Sequence, residues 1–104
     1  MIVECKGKSI YFGEEYIVFW GLFNKKIDIN YNDIKKIEFK ININREKNND
    51  ASKIVDLKIY TKNHNYYCCI NYDDNGKVES FLRNKNIKIS KKFIESRIYD
   101  SYGD

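Results

Sequence analysis

A chain of 104 residues has room for one domain and one hydrophobic core. Its 42% hydrophobic and 33% charged content fits a soluble globular protein, and no apolar run approaches the ~20 residues of a helical membrane span. The net charge of +4 and pI near 8.9 are mildly basic, short of the pI above ~9 that marks a dedicated nucleic-acid domain.

Sixteen Ile, nine Tyr and six Phe, with no Pro, bias the chain towards strands. The first segment lacks a basic stretch followed by an apolar one, which predicts a cytoplasmic protein. Cys5, Cys68 and Cys69 agree with that compartment: three cysteines make no even disulfide framework, and their spacing matches no zinc motif. Cys68 and Cys69 are neighbours on a predicted strand and point to opposite faces.

In chain order, Ile2–Cys5 reads as a short strand that Lys8–Phe12 continues. Gly13-Glu14-Glu15 is a turn. Tyr16–Phe23 is apolar on both faces, which suits a strand buried on both sides or one whose outer face meets another element. Gly21 within it marks a bulge, a bend or a close backbone approach. Ile27, Ile29 and Tyr31 alternate with polar residues, Asn32-Asp33 supplies turn chemistry, and alternation resumes through Ile37, Phe39, Ile41 and Ile43. Ile34 and Ile37 would share the core side of a single helical turn between the two strands. Asn44–Ser52 reads as a mobile polar loop or a long hairpin tip. Ile54–Tyr60 and Tyr66–Tyr72 form a hairpin around Thr61–Asn65. Asp74 or Asn75 can cap a helix from Lys77, with Val78, Phe81, Leu82 and the Lys85 stem on one face and Asn86 at its end. After a brief extended piece, Ser90 can cap a second short helix carrying Phe93, Ile94, Ile98 and Tyr102.

Strands followed by helix, with short turns between strands, predict a mainly β fold that becomes α+β at the C-terminus. The pattern resembles the small bacterial pleckstrin-homology-like (PH-like) domains. The resemblance is carried by Tyr16-Ile17-Val18-Phe19-Trp20-Gly21-Leu22-Phe23, by the segment Lys26–Ile37 with its Ile-x-Ile-x-Tyr, Asn-Asp and Ile-x-x-Ile order, and by the later hairpin and helix. It implies a single domain over residues 1–104, with a core at about 9–86 and an extension at 87–104. The sheet is expected to be a strongly bent antiparallel sheet, or partly open barrel, of six to seven strands, with a C-terminal helix and a short helical tail. It also implies a binding scaffold without catalysis. Eukaryotic relatives of this type bind phosphoinositides through basic residues in the first hairpin loop. Neither Gly13-Glu14-Glu15 nor Asn24-Lys25-Lys26 carries such a cluster, and a fold does not by itself assign a function.

Tested for chemistry, the sequence offers no phosphate-binding or nucleophile-elbow motif. His64 sits between two Asn in a turn. Glu14-Glu15 and Asp73-Asp74 are adjacent carboxylates at turns. No catalytic residue, cofactor or metal site is therefore expected. Two surfaces remain. Phe19 and Trp20 point to opposite faces of one strand, as do Leu22 and Phe23, so one of each pair must face out, meet a partner or lie under the C-terminal tail. Phe19, Trp20, Phe23 and Tyr67 are the candidate interface residues, for a protein partner or a homodimer. Arg83, Lys85, Lys88, Lys91 and Lys92 are the candidate anion-binding residues, for nucleic acid or an anionic membrane. Tyr60, Tyr66, Tyr67 and Tyr72 would stack on bases if exposed. The favoured expectation is a protein-binding module of a bacterium or phage, of regulatory or immunity type. The anionic surface is the alternative.

Overall fold

The computed structural model describes residues 1–43 and 54–95. Four strands, β1 (Ile2–Cys5), β2 (Lys8–Phe12), β3 (Tyr16–Trp20) and β4 (Lys26–Asn30), form one antiparallel sheet in chain order. The second sheet contains β5 (Ile34–Ile43), β6 (Ile54–Thr61), β7 (Asn65–Asn71) and β8 (Ile89–Glu95), in the order β7-β6-β5-β8. One helix, α1 (Asn75–Asn84), lies between β7 and β8 in the chain. The fold is mainly β, with two sheets and a helix in the C-terminal part, and among the described residues no strand ladder closes the two sheets into a barrel.

β1 and β2 are two strands of a hairpin, not one continuous strand. Val3 pairs with Ile10 and Cys5 with Lys8. Lys6 and Gly7 both adopt positive φ, at 51° and 76°, the left-handed pair that matches the twist of a tight hairpin. β3 ends at Trp20. Gly21 then bends the chain into a 3₁₀ turn at Leu22–Asn24, and its N–H donates to the Lys25 carbonyl at 2.8 Å. A Cβ on Gly21 would lie 2.8 Å from Ile27 Cδ1, so the bend also brings the backbone against β4.

The corner between the sheets is built at Asn30–Ile34. Asn30 Oδ1 accepts from the Asn32 N–H at 2.8 Å and caps the 3₁₀ turn Tyr31–Asp33. Ile34 itself begins β5 instead of belonging to a helical turn. Tyr31 is buried and its hydroxyl donates to the Gly13 carbonyl at 2.8 Å, so the polar tip of a core aromatic ties this corner to the β2–β3 turn. Burial pushes the Tyr31 phenol up to about 12.

Alternation places Ile10, Phe12, Ile17, Phe19 and Ile29 of the first sheet against Ile37, Phe39, Ile41, Val55, Leu57, Ile59 and Ile70 of the second. Helix α1 covers one end of this core. Val78 and Leu82 are fully buried, and the Phe81 ring meets Phe12 and Tyr31 at centroid distances of 6.2 and 6.4 Å. Asp74 occupies the N-cap position without a side-chain capping bond and pairs with Lys77 at 3.2 Å instead. The C-terminus follows a Schellman pattern. Asn86 takes φ 64°, its N–H donates to the Arg83 carbonyl, and the Ile87 N–H donates to the Leu82 carbonyl, with Ile87 buried.

Over the described residues that follow Ser90, the expected helix is replaced by a strand. Ile89–Glu95 instead pairs in parallel with β5, from Ile37 opposite Ile89 to Ile43 opposite Glu95. A seven-residue segment with Phe93 and Ile94 satisfies either period, and the free edge of β5 decides between them. Ser90 begins no helix; its Oγ is buried and has no hydrogen-bond partner among the described residues. The expected polar loop at Asn44–Ser52 and the residues Ile98 and Tyr102 lie outside the described residues.

Candidate functional site

The two sheets meet where β1 approaches β7. Asn71 Nδ2 donates to the Glu4 carbonyl at 2.8 Å, and Cys5 Sγ lies 3.1 Å from Cys69 Sγ. Beside this contact opens a groove of about 370 Å³. Its floor carries Ile10 and Phe19, its walls carry Cys5, Cys68, Cys69 and Asp56, and its rim carries Lys8, Trp20, Leu22 and Tyr67. The volume falls at the small end of ligand-sized pockets, which run from roughly 300 to 1,000 Å³. Two of its lining residues, Lys8 and Asp56, are charged; most of the rest is aromatic, aliphatic or thiol.

The rim, with Phe23 next to Leu22 in the chain, exposes several large apolar side chains. Trp20 is 43% exposed, Tyr67 65%, Leu22 80% and Phe23 100%. Both Leu22 and Phe23 face out, because the strand that would have turned one of them inward stops at Trp20. Phe23 sits at φ 59° and Asn24 at φ 56°. A left-handed conformation costs a residue with a Cβ about 1–2 kcal/mol, and Phe has no local hydrogen bond to offset it, unlike Asn. Phe19 is buried, so of the four candidate interface residues it forms part of the core and the groove floor, while Trp20, Phe23 and Tyr67 are on the surface. Leu22 joins them; the sequence signal for it was Gly21, which ends the strand. The C-terminal segment, expected as one cover for this outer face, pairs through Ile89–Glu95 with β5.

The basic candidates do not form one free patch. Glu79 receives Lys91 Nζ at 2.6 Å and Arg83 Nε at 2.9 Å. Lys85 Nζ donates to the Glu14 carbonyl at 2.9 Å and lies 5.5 Å from the Phe81 ring centroid and 5.6 Å from that of Tyr31. Lys88 and Lys92 are exposed and make no ion pair among the described residues. Of the tyrosines, Tyr60 has Lys36 and Lys58 at 4.7 and 4.8 Å from its ring centroid, and Tyr67 has Lys58 at 5.6 Å. Their faces are thus partly occupied by cations.

The Lys91 ammonium, then the Arg83 guanidinium, hold the Glu79 carboxyl below the ordinary carboxylate range against the opposing effect of burial. A depressed carboxylate stabilises the fold above its unfolded pKa, and that contribution is lost as pH falls through the folded value. Glu79→Gln should therefore lower the unfolding free energy at neutral pH, by at most about 1 kcal/mol because both cations are partly exposed. The difference from wild type should shrink below roughly pH 4. Urea titrations at several pH values measure it, and a pH-independent difference would refute the assignment.

His64 stays in its turn, where Thr61 Oγ1 donates to the His64 carbonyl and accepts its N–H. Among the described residues no group of three or more His, Cys, Asp or Glu side chains is placed to hold a metal ion, and no helix is long and apolar enough to cross a membrane. No family model matches this chain, and no curated protein matches it either.

Proposed function

We propose that this chain is a non-catalytic, PH-like protein-binding module that docks its partner on the rim Trp20–Leu22–Phe23–Tyr67. The PH-like reading is supported by the order of elements: four antiparallel strands, a corner, three antiparallel strands and a helix over the end of the core. β8 is then an addition to that plan. The observation that carries the binding role is Phe23, a wholly exposed aromatic on a left-handed backbone. Strain that serves no packing in the chain itself is the kind held at recognition sites, and large aromatics are the usual anchors of protein interfaces.

The test uses the full chain as bait in extract of its native host, with Phe23→Ser, Trp20→Ser and Lys88→Glu/Lys92→Glu in parallel. A partner retained by wild type and by the lysine variant, lost by Phe23→Ser and insensitive to salt, supports the proposal. Once the partner is purified, Phe23→Ser should weaken binding by about 30-fold or more, the 2 kcal/mol typical of an anchor. Capture that depends on the lysines and collapses with rising salt would replace this reading with the anionic-surface one. If the partner is a second copy, light scattering will show a dimer that Phe23→Ser dissociates.

A further inference from the structure

We infer that Cys5 and Cys69 are a disulfide-forming dithiol, oxidised by low-molecular-weight disulfides, that staples the two sheets together beside the groove. The two sulfurs belong to different sheets and are 64 residues apart in the chain, yet lie 3.1 Å from each other. An approach of about 1 Å brings them to the ~2.05 Å of a disulfide bond. Their strands are already fixed against each other by the Asn71–Glu4 bond two residues from Cys69 and one from Cys5. Both thiols line the groove, which gives a small oxidant its path.

The two cysteines are not equivalent. Cys5 is 3% exposed, and burial together with its contact to Cys69 pushes its thiol up to about 12, so it keeps its proton. Cys69 is more exposed and is the attacking sulfur. In the first step the Cys69 thiolate attacks one sulfur of the oxidant RSSR. A Cys69–SR bond forms and RS⁻ leaves. In the second, the Cys5 thiol, losing its proton to solvent or to the departing group, attacks Cys69 Sγ and expels RSH. The protein loses two hydrogens in total, and one RSSR becomes two RSH. Cys68 takes no part. It also lines the groove, but it lies on the face of β7 opposite to Cys69, packed against the core, and burial pushes its thiol up to about 12 as well.

The experiment treats the reduced full-length chain with oxidised glutathione under native conditions, beside Cys68→Ser, Cys69→Ser and Cys5→Ser. Intact mass and a non-reducing peptide map identify the products. Wild type and Cys68→Ser should lose two hydrogens and yield a Cys5–Cys69 peptide. Cys5→Ser should stop at the mixed disulfide on Cys69, and Cys69→Ser should resist oxidation. Closing so long a loop should raise the melting temperature by roughly 10 °C or more, reversed by a reducing agent. A mixed disulfide that accumulates in wild type, pairing through Cys68, crosslinks between chains, or no reaction would each overturn the inference. Because Cys68 and Cys69 fall in one peptide, the map of Cys68→Ser, which keeps Cys5 and Cys69, decides this even if the buried Cys5→Ser change unfolds its variant. No outcome depends on the rim being a docking surface.

Discussion

Phe39→Ala should be the most destabilising single substitution in the chain, costing about 3–5 kcal/mol. Phe39 is fully buried at the middle of β5, opposite Leu57 on β6 and Lys91 on β8, and its ring occupies the centre of the second sheet's core face. Cutting it to a methyl removes its transfer energy and leaves a cavity that two ladders hold open. A domain of this size has about 5–15 kcal/mol in total, so the variant should unfold at much lower urea with an unchanged slope, or fail to accumulate. Chemical denaturation followed by tryptophan fluorescence measures it through Trp20. A midpoint within the range of a surface substitution would mean that Phe39 is not at the centre of the core.

Most of this core was legible because each strand keeps one face dry and one wet. Ile27, Ile29, Tyr31, Ile37, Phe39 and Ile41 follow period two, and so do Val55, Leu57 and Ile59. The helix was legible from Val78, Phe81 and Leu82, and its end from Asn86. What escaped was local chemistry of low contrast and pairing at a distance. The Lys6-Gly7 turn lies inside a run of strand-compatible residues, and one Gly is a weak break. The strand at Ile89–Glu95 is chosen by the free edge of β5, some fifty residues earlier, and its own sequence does not distinguish strand from helix.

The candidate site divides in the same way. That Trp20 would face away from Phe19 follows from the pleat, and so does the outward turn of Tyr67 between Tyr66 and Cys68. The exposure of both Leu22 and Phe23 depends on the strand ending at Gly21, a tertiary outcome set partly by Ile27. The cysteines show the limit most clearly. Spacing correctly separates Cys68 from Cys69, but nothing in the sequence brings Cys5 of the first sheet against Cys69 of the second. Likewise, the run Arg83–Lys92 reads as a cluster of cations, whereas Glu79 takes two of them and the Glu14 turn a third.

Truncation after Lys88 should be nearly as damaging as Phe39→Ala, and it tests the element the sequence hides. The shortened chain keeps α1, its Asn86 stop, buried Ile87 and the bond from the Ile37 N–H to the Lys88 carbonyl. It loses β8, whose seven residues pair along β5 from Ile37 to Ile43. At about 0.5–1.5 kcal/mol net per backbone hydrogen bond, such a ladder contributes several kcal/mol. β5 would become an edge strand, its free N–H and C=O groups a template for another chain. The truncated protein should therefore melt at lower temperature and aggregate, and amide exchange at Glu38–Ile41 should accelerate while Val78–Leu82 stays protected relative to it. An unchanged midpoint with protected β5 amides would show that the segment is a passive tail. A loss of stability confined to the helix would assign it the covering role that a second helix would have had. Because Trp20 and Phe23 follow from the other sheet, and Tyr67 lies on β7 at the opposite edge of the sheet from β8, partner binding by whatever fraction remains folded should be preserved, which separates the structural work of β8 from the recognition surface.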